Sequence, residues 1–243
     1  MNRLRTELDR LYLGGLVVAE GDSQAPSLVD ARGRVRALIV EVVQPAGWDA
    51  LSEVWHGVQM ELDLPAPAIA VSGRDGLQLW FSLENSIPAG PAHAFLEALR
   101  SRFLAHVAAS RVRLWPGADE PARHAALVPA LQADSGNWSA FVAPDLVSIF
   151  SETPWLDVEP GDEGQSALLR GLASIKPAAF DAALAGMRAS APPAQVQAPA
   201  SVPAGPGAAP QTEDDPRRFL LRVMNDDSVP LPLRIEAAKA LLK

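Results

Sequence analysis

Ser72, Gly73, Arg74, Gly76 and Gln78 fall within a seven-residue stretch, Ser-Gly-Arg-Asp-Gly-Leu-Gln, whose residue types suit phosphate binding. Glycines at 73 and 76 let the backbone take a positive φ or approach a ligand closely. The Ser72 hydroxyl and the Arg74 guanidinium supply donors for phosphate oxygens. Leu77 to Leu83 then alternates as a strand does, so Gln78 faces away from Leu77 and Leu79. Two further positions could join this group. Glu41 is the single acid in the apolar run Val35–Val43, and Arg113 lies in the run Arg111–Trp115. Glu41 is open to two readings, a reactive carboxylate or a buried partner for an arginine such as Arg113. Asn137 and Trp138 add a polar group and a ring on which a base could stack.

These residues need a scaffold, and the patterning supplies one. Residues 2–14 carry Leu4, Leu8, Leu11 and Tyr12 near helical spacing. Val35–Val43 is β-branched and reads as a buried strand. Trp48 to Leu62 reads as a helix with Leu51, Val54, Trp55 and Val58 on one face. Ala68–Val71 and Leu77–Leu83 read as strands flanking the turn. A helix over 91–108, a strand over 111–115, short strands over 125–131 and 138–142, and helix over 166–187 broken near Pro177 complete the series. The expected class is α+β: a mixed β-sheet with helices on one side, spanning 1–188. Residues 189–215 hold six prolines and few bulky apolar side chains, so they read as a flexible Pro/Ala-rich linker. Asp215-Pro216 reads as an N-cap and first helical residue, and 216–243 as a helical hairpin.

The 243 residues carry a net charge of −8, all of it in residues 1–188, where 15 Lys and Arg meet 23 Asp and Glu. An acidic body disfavours sequence-independent duplex binding, which depends on neutralising phosphates. Arg100, Arg102, Arg111 and Arg113 are the one local basic concentration. There is no cysteine, which excludes disulfides, thiolate catalysis and Cys-based zinc sites. The four histidines lack metal-ligand spacing, so no metal site is expected. No apolar run reaches the roughly 18 residues of a membrane span, and the N-terminal residues lack a signal-peptide core; the expected location is cytoplasmic.

The segment Ala70–Leu83 resembles the second motif of the archaeo-eukaryotic primase superfamily, which includes primase-polymerases of mobile elements and the polymerase domain of bacterial end-joining ligases. That motif is a Ser-Gly turn, a glycine, then a strand carrying His; here Gln78 stands at the His position. The element order and the segments 126–132 and 136–142 extend the resemblance over about residues 30–160. It implies a nucleotide-binding site with two divalent metals held by paired carboxylates. Departures are concentrated there. Ile39-Val40-Glu41-Val42-Val43-Gln44-Pro45 holds one acid, not two, and Arg111–Trp115 holds none. The C-terminal hairpin, through Val223-Met224-Asn225-Asp226 and Leu233-Arg234-Ile235-Glu236-Ala237-Ala238, resembles a module of phage small terminases.

The function expected from this reading is a catalytically inactive primase-polymerase-like protein. It would bind single-stranded nucleic acid or a nucleotide weakly, in DNA replication or repair or in a mobile element, with no cofactor. The hairpin at 216–243 would recruit a protein partner or self-associate. Two alternatives compete. One is an active nucleotidyltransferase using Mg or Mn with Glu41 as a catalytic acid. The other is a protein-interaction module that binds no nucleic acid.

Overall fold

The computed structural model describes residues 2–14, 28–44, 47–118 and 124–190, all within one unit, Met1–Ala194. The expected hairpin at 216–243 and nearly all of the expected linker lie outside the described residues. The fold is α+β, as its sequence order implies. β1 (Arg34–Val43) lies inside a six-stranded sheet between β4 (Val112–Trp115) and β3 (Gly76–Pro88). β2 (Ala68–Val71), β6 (Trp138–Val142) and β5 (Ala130–Leu131) continue it in that order.

Alternation along these strands divides the side chains between two faces. Leu38, Val40 and Val42 of β1 share one face with Leu77, Leu79, Phe81 and Leu83 of β3. Against it pack α2 (Trp48–Met60), α3 (Ala89–Phe103) and α5 (Pro177–Ser190), through Leu51, Val54, Phe95, Leu99 and Phe180. Ala37, Ile39, Ala68, Ala70, Trp80 and Phe141 point to the other face. There α1 (Arg3–Leu8), the π-helical turn Asp9–Leu13 and α4 (Asp162–Arg170) bring Leu8, Leu11, Tyr12 and Leu169 onto Trp80 and Phe141. Each such buried side chain contributes about 1.5–3 kcal/mol.

Two details of the expected architecture are corrected. The sheet is not mixed: its named strands pair antiparallel throughout, and one isolated bridge, Leu83 to Ile175, is parallel. Helices cover both faces rather than one, because Ile39, Trp80 and Phe141 leave the second face apolar and in need of cover. β3 runs on to Pro88, past the expected end at Leu83, and pairs Ile87 and Pro88 with the start of β1. Of the strand expected over 125–131, Ala130–Leu131 forms; Pro129, just before it, has no N–H to give a ladder. α3 begins at Ala89 and tolerates Pro91 in its first turn, where N–H groups have no intrahelical partner. No helix among the described residues is long and apolar enough to cross a membrane.

Candidate functional site

Arg113, Glu41 and Gln78 stand side by side on β4, β1 and β3, paired in register Glu41–Arg113 and Glu41–Gln78. Arg113, Glu41 and Gln78 are distant in sequence, yet the sheet places them on one face at one end. Glu41 is 3% exposed. Both its oxygens are engaged: Arg113 Nη1 donates to Oε1 at 3.1 Å, and Gln78 Nε2 donates to Oε2 at 3.1 Å. Gln78 Oε1 in turn accepts from Trp80 Nε1 at 2.8 Å. A line of hydrogen bonds thus runs from the indole through the amide and the carboxylate to the guanidinium.

Arg113 continues the line outward. Its Nη1 and Nη2 donate to Asp75 Oδ1 and Oδ2 at 3.0 and 2.9 Å, a bidentate pair at the edge of solvent. Bonding to Asp75 is the first reason that the guanidinium holds its proton more tightly than usual; Glu41 adds to this and burial opposes it. Burial raises the Glu41 carboxyl above its ordinary range, against the opposing pull of Gln78 and Arg113. The Glu41 charge is therefore only partly compensated.

Gly76 makes this packing possible. A Cβ there would lie 2.6 Å from Glu41 Oε1 and 3.0 Å from the Val42 carbonyl oxygen. Ser72 shapes the turn rather than facing a ligand: its Oγ accepts from the N–H groups of Arg74 at 3.1 Å and Gly76 at 3.0 Å. Gly73 has φ +78°, and its N–H donates to the Pro154 carbonyl at 3.0 Å.

Arg74 does not face Arg113 as the sequence suggested. It turns to the β5–β6 hairpin, where Nε donates to Gln132 Oε1 at 2.7 Å and Nη1 pairs with Asp134 Oδ2 at 3.0 Å. Asp75 takes the place beside Arg113 because a carboxylate, unlike a second guanidinium, is attracted there. Asn137 and Trp138 lie on the same hairpin. The Asn137 carbonyl accepts from Gln132 N–H at 2.8 Å, and Trp138, half-buried, pairs with Leu131 and bridges to Leu156. The nine candidate residues therefore form two adjoining groups. Glu41, Gly76, Gln78 and Arg113 make one; Ser72, Gly73, Arg74, Asn137 and Trp138 make the other.

Asp75, Gln132 and Asp134 were not singled out from sequence, although they hold both arginines. All three sit in turns, where acids and amides are ordinarily solvated, and their partners are remote in sequence. Among the described residues no three His, Asp or Glu side chains gather as a metal site. The carboxylate oxygens of Glu41 are already taken by protein donors, so the residues present do not fit a two-metal centre, which needs several free anionic oxygens. A scan against protein-family models and a search of curated proteins both return no match.

Proposed function

We propose that this protein binds single-stranded nucleic acid or a nucleotide on a polymerase-like scaffold and carries out no nucleotide transfer. One observation carries the reading. Three residues from separate segments, Glu41, Gln78 and Arg113, meet on one sheet face beside the Gly73–Gly76 turn. The absence of synthesis follows from the chemistry of Glu41. A lone carboxylate, bonded at both oxygens and buried, offers little to a divalent cation.

Two measurements test the reading. Primer extension with Mg²⁺ or Mn²⁺ is expected to stay at background; extension abolished by Glu41→Ala would establish the enzyme instead. Anisotropy of a labelled oligonucleotide at two salt concentrations is expected to show weak, salt-sensitive binding. The interaction-module reading draws on a different observation. Arg74 and Arg113 are both neutralised within the protein, by Asp134 and by Glu41 with Asp75. Oligonucleotide affinity too weak to detect at low salt would favour that module.

A further inference from the structure

Four arginines, at 100, 102, 111 and 113, make up the local basic concentration of the chain. The structure separates them. Arg100 is paired with Glu97 at 2.8 Å and Arg102 with Glu61 at 2.6 Å. Arg113 is held by Glu41 and Asp75. Arg111 alone of the four forms no ion pair with a carboxylate among the described residues. Its Nε and Nη2 reach only the Val43 carbonyl, each at 3.4 Å, near the long limit for a hydrogen bond.

The place of Arg111 gives this meaning. β4 pairs with β1 up to Val112–Val42, and one step further Arg111 falls beside Val43. It closes the 3-10 turn Ala109–Arg111 just before β4, and its guanidinium reaches the Val43 carbonyl at the same end of the sheet as Arg113, Glu41 and Gln78. Val43 is in turn paired with Gly76, and the Gly76 carbonyl accepts from Ser72 N–H at 2.9 Å. Arg111, Val43, Gly76 and Ser72 thus form the outer rung of the site, and Gly76 projects no side chain into it. The turn itself has few donors left. The amides of Gly73, Arg74 and Gly76 are spent on Pro154 and Ser72. A guanidinium has five N–H donors, and two long bonds to one neutral carbonyl leave most of its capacity unused.

We infer that Arg111 is the phosphate-contacting cation of this site, in place of Arg74 and Arg113, and that the group it takes is a phosphate oxyanion of a nucleotide or of a nucleic-acid backbone. This rests on the nucleotide-binding reading above. Arg113, closed by two carboxylates, positions Glu41 and does not contact the ligand.

The test uses the full chain and three probes: tripolyphosphate, ATP and a labelled oligothymidylate, each at two salt concentrations. Arg111→Ala is expected to weaken oligothymidylate binding at least about tenfold and to lower the salt slope by about one. Arg111→Lys should keep part of the affinity, since it retains charge without the planar fork. Arg74→Ala should change binding less than about threefold, because Arg74 is already engaged by Gln132 and Asp134. Circular dichroism checks folding, and Arg111→Gln replaces Arg111→Ala should the latter not fold. If wild type binds the oligonucleotide and Arg111→Ala binds it equally well, the inference fails while the nucleotide reading stands. If wild type takes tripolyphosphate through Arg111 but neither ATP nor oligonucleotide, the phosphate site stands and the nucleotide reading fails. If wild type binds none of the three, both fail.

Discussion

Gln78 Nε2 donates to Glu41 Oε2 at 3.1 Å across the β3–β1 pair, with both side chains buried. This amide does two tasks, since its Oε1 also satisfies the buried Trp80 indole N–H. Gln78→Leu strips a partner from each neighbour at once. An unsatisfied buried group costs about 1–3 kcal/mol, so the variant should lose about 2–5 kcal/mol in urea unfolding. A loss below about 1 kcal/mol would show that the network is not buried as described.

Arg113→Met should destabilise by about 1–3 kcal/mol. This is less than for a fully buried pair because the Arg113 side chain is 44% exposed. Removal of Arg113 leaves Glu41 without its cation. Arg113→Met with Glu41→Gln should therefore recover much of the loss, and a double-mutant cycle reads the coupling. Additive losses would mean that Arg113 serves Asp75 alone.

Glu41 gives a signed pH dependence. Its folded carboxyl is raised above the unfolded value by burial, so the stability that it contributes is fullest below the ordinary carboxylate range and falls as pH rises through the raised value. Glu41→Gln removes this fall. Relative to wild type, the variant should gain stability as the pH is raised above the ordinary carboxylate range. The opposite trend in urea midpoints would mean that Arg113 outweighs burial.

His124 acts in the other direction. Its Nε2 donates to the Ala37 carbonyl at 3.1 Å and its Nδ1 accepts from Ala125 N–H at 2.9 Å, which fits the neutral ring. Burial pushes it down to about 4. A depressed histidine binds its proton more weakly folded than unfolded, so stability is complete above the unfolded value near 6.5 and is lost as pH falls toward 4. Wild type should lose about 3 kcal/mol over that window, and His124→Gln should lose less. Equal acid sensitivity in both proteins would place the titration elsewhere.

Glycines provide a matched pair of opposite sign. Gly57→Ala in α2 would set a Cβ 2.3 Å from the Phe103 ring, so it should destabilise although alanine is the better helix former. Gly90→Ala in the first turn of α3 meets nothing within 4 Å and should stabilise by up to about 1 kcal/mol. Thermal midpoints moving the same way in both would contradict the α2–α3 packing.

Much of the fold was legible because period-2 and period-3.6 patterns are local. The alternation of Leu77, Leu79 and Phe81 against Gln78 and Trp80 identified both β3 and the direction of Gln78. The extension of β3 through Glu84, Asn85 and Ser86 was not legible, since those residues are polar and lie in the irregularity between the Ser82–Ala37 and Ile87–Val35 pairs. Periodicity also shows that α4 is amphipathic without showing which sheet face it will cover. In the site, Glu41, Gln78 and Arg113 could be gathered from residue type and strand position. Asp75 and Asp134 could not, because a turn carboxylate looks the same whether it meets water or a distant arginine.

The N-terminal segment described above imposes an order of assembly. Asn2 Nδ2 donates to Asp162, and Arg10 donates to the carbonyls of Leu169 and Leu172, across separations of 160, 159 and 162 residues. All six strands of the sheet lie between α1 and its covering partner α4 in chain order. Until α4 exists, Trp80 and Phe141 have an incomplete roof. Closure of that layer is therefore a long-range event, entropically expensive and late, while the β1–β3 pair can form well before it. Amide exchange in the segment 3–13 should consequently report the docking of α4 rather than the stability of the sheet.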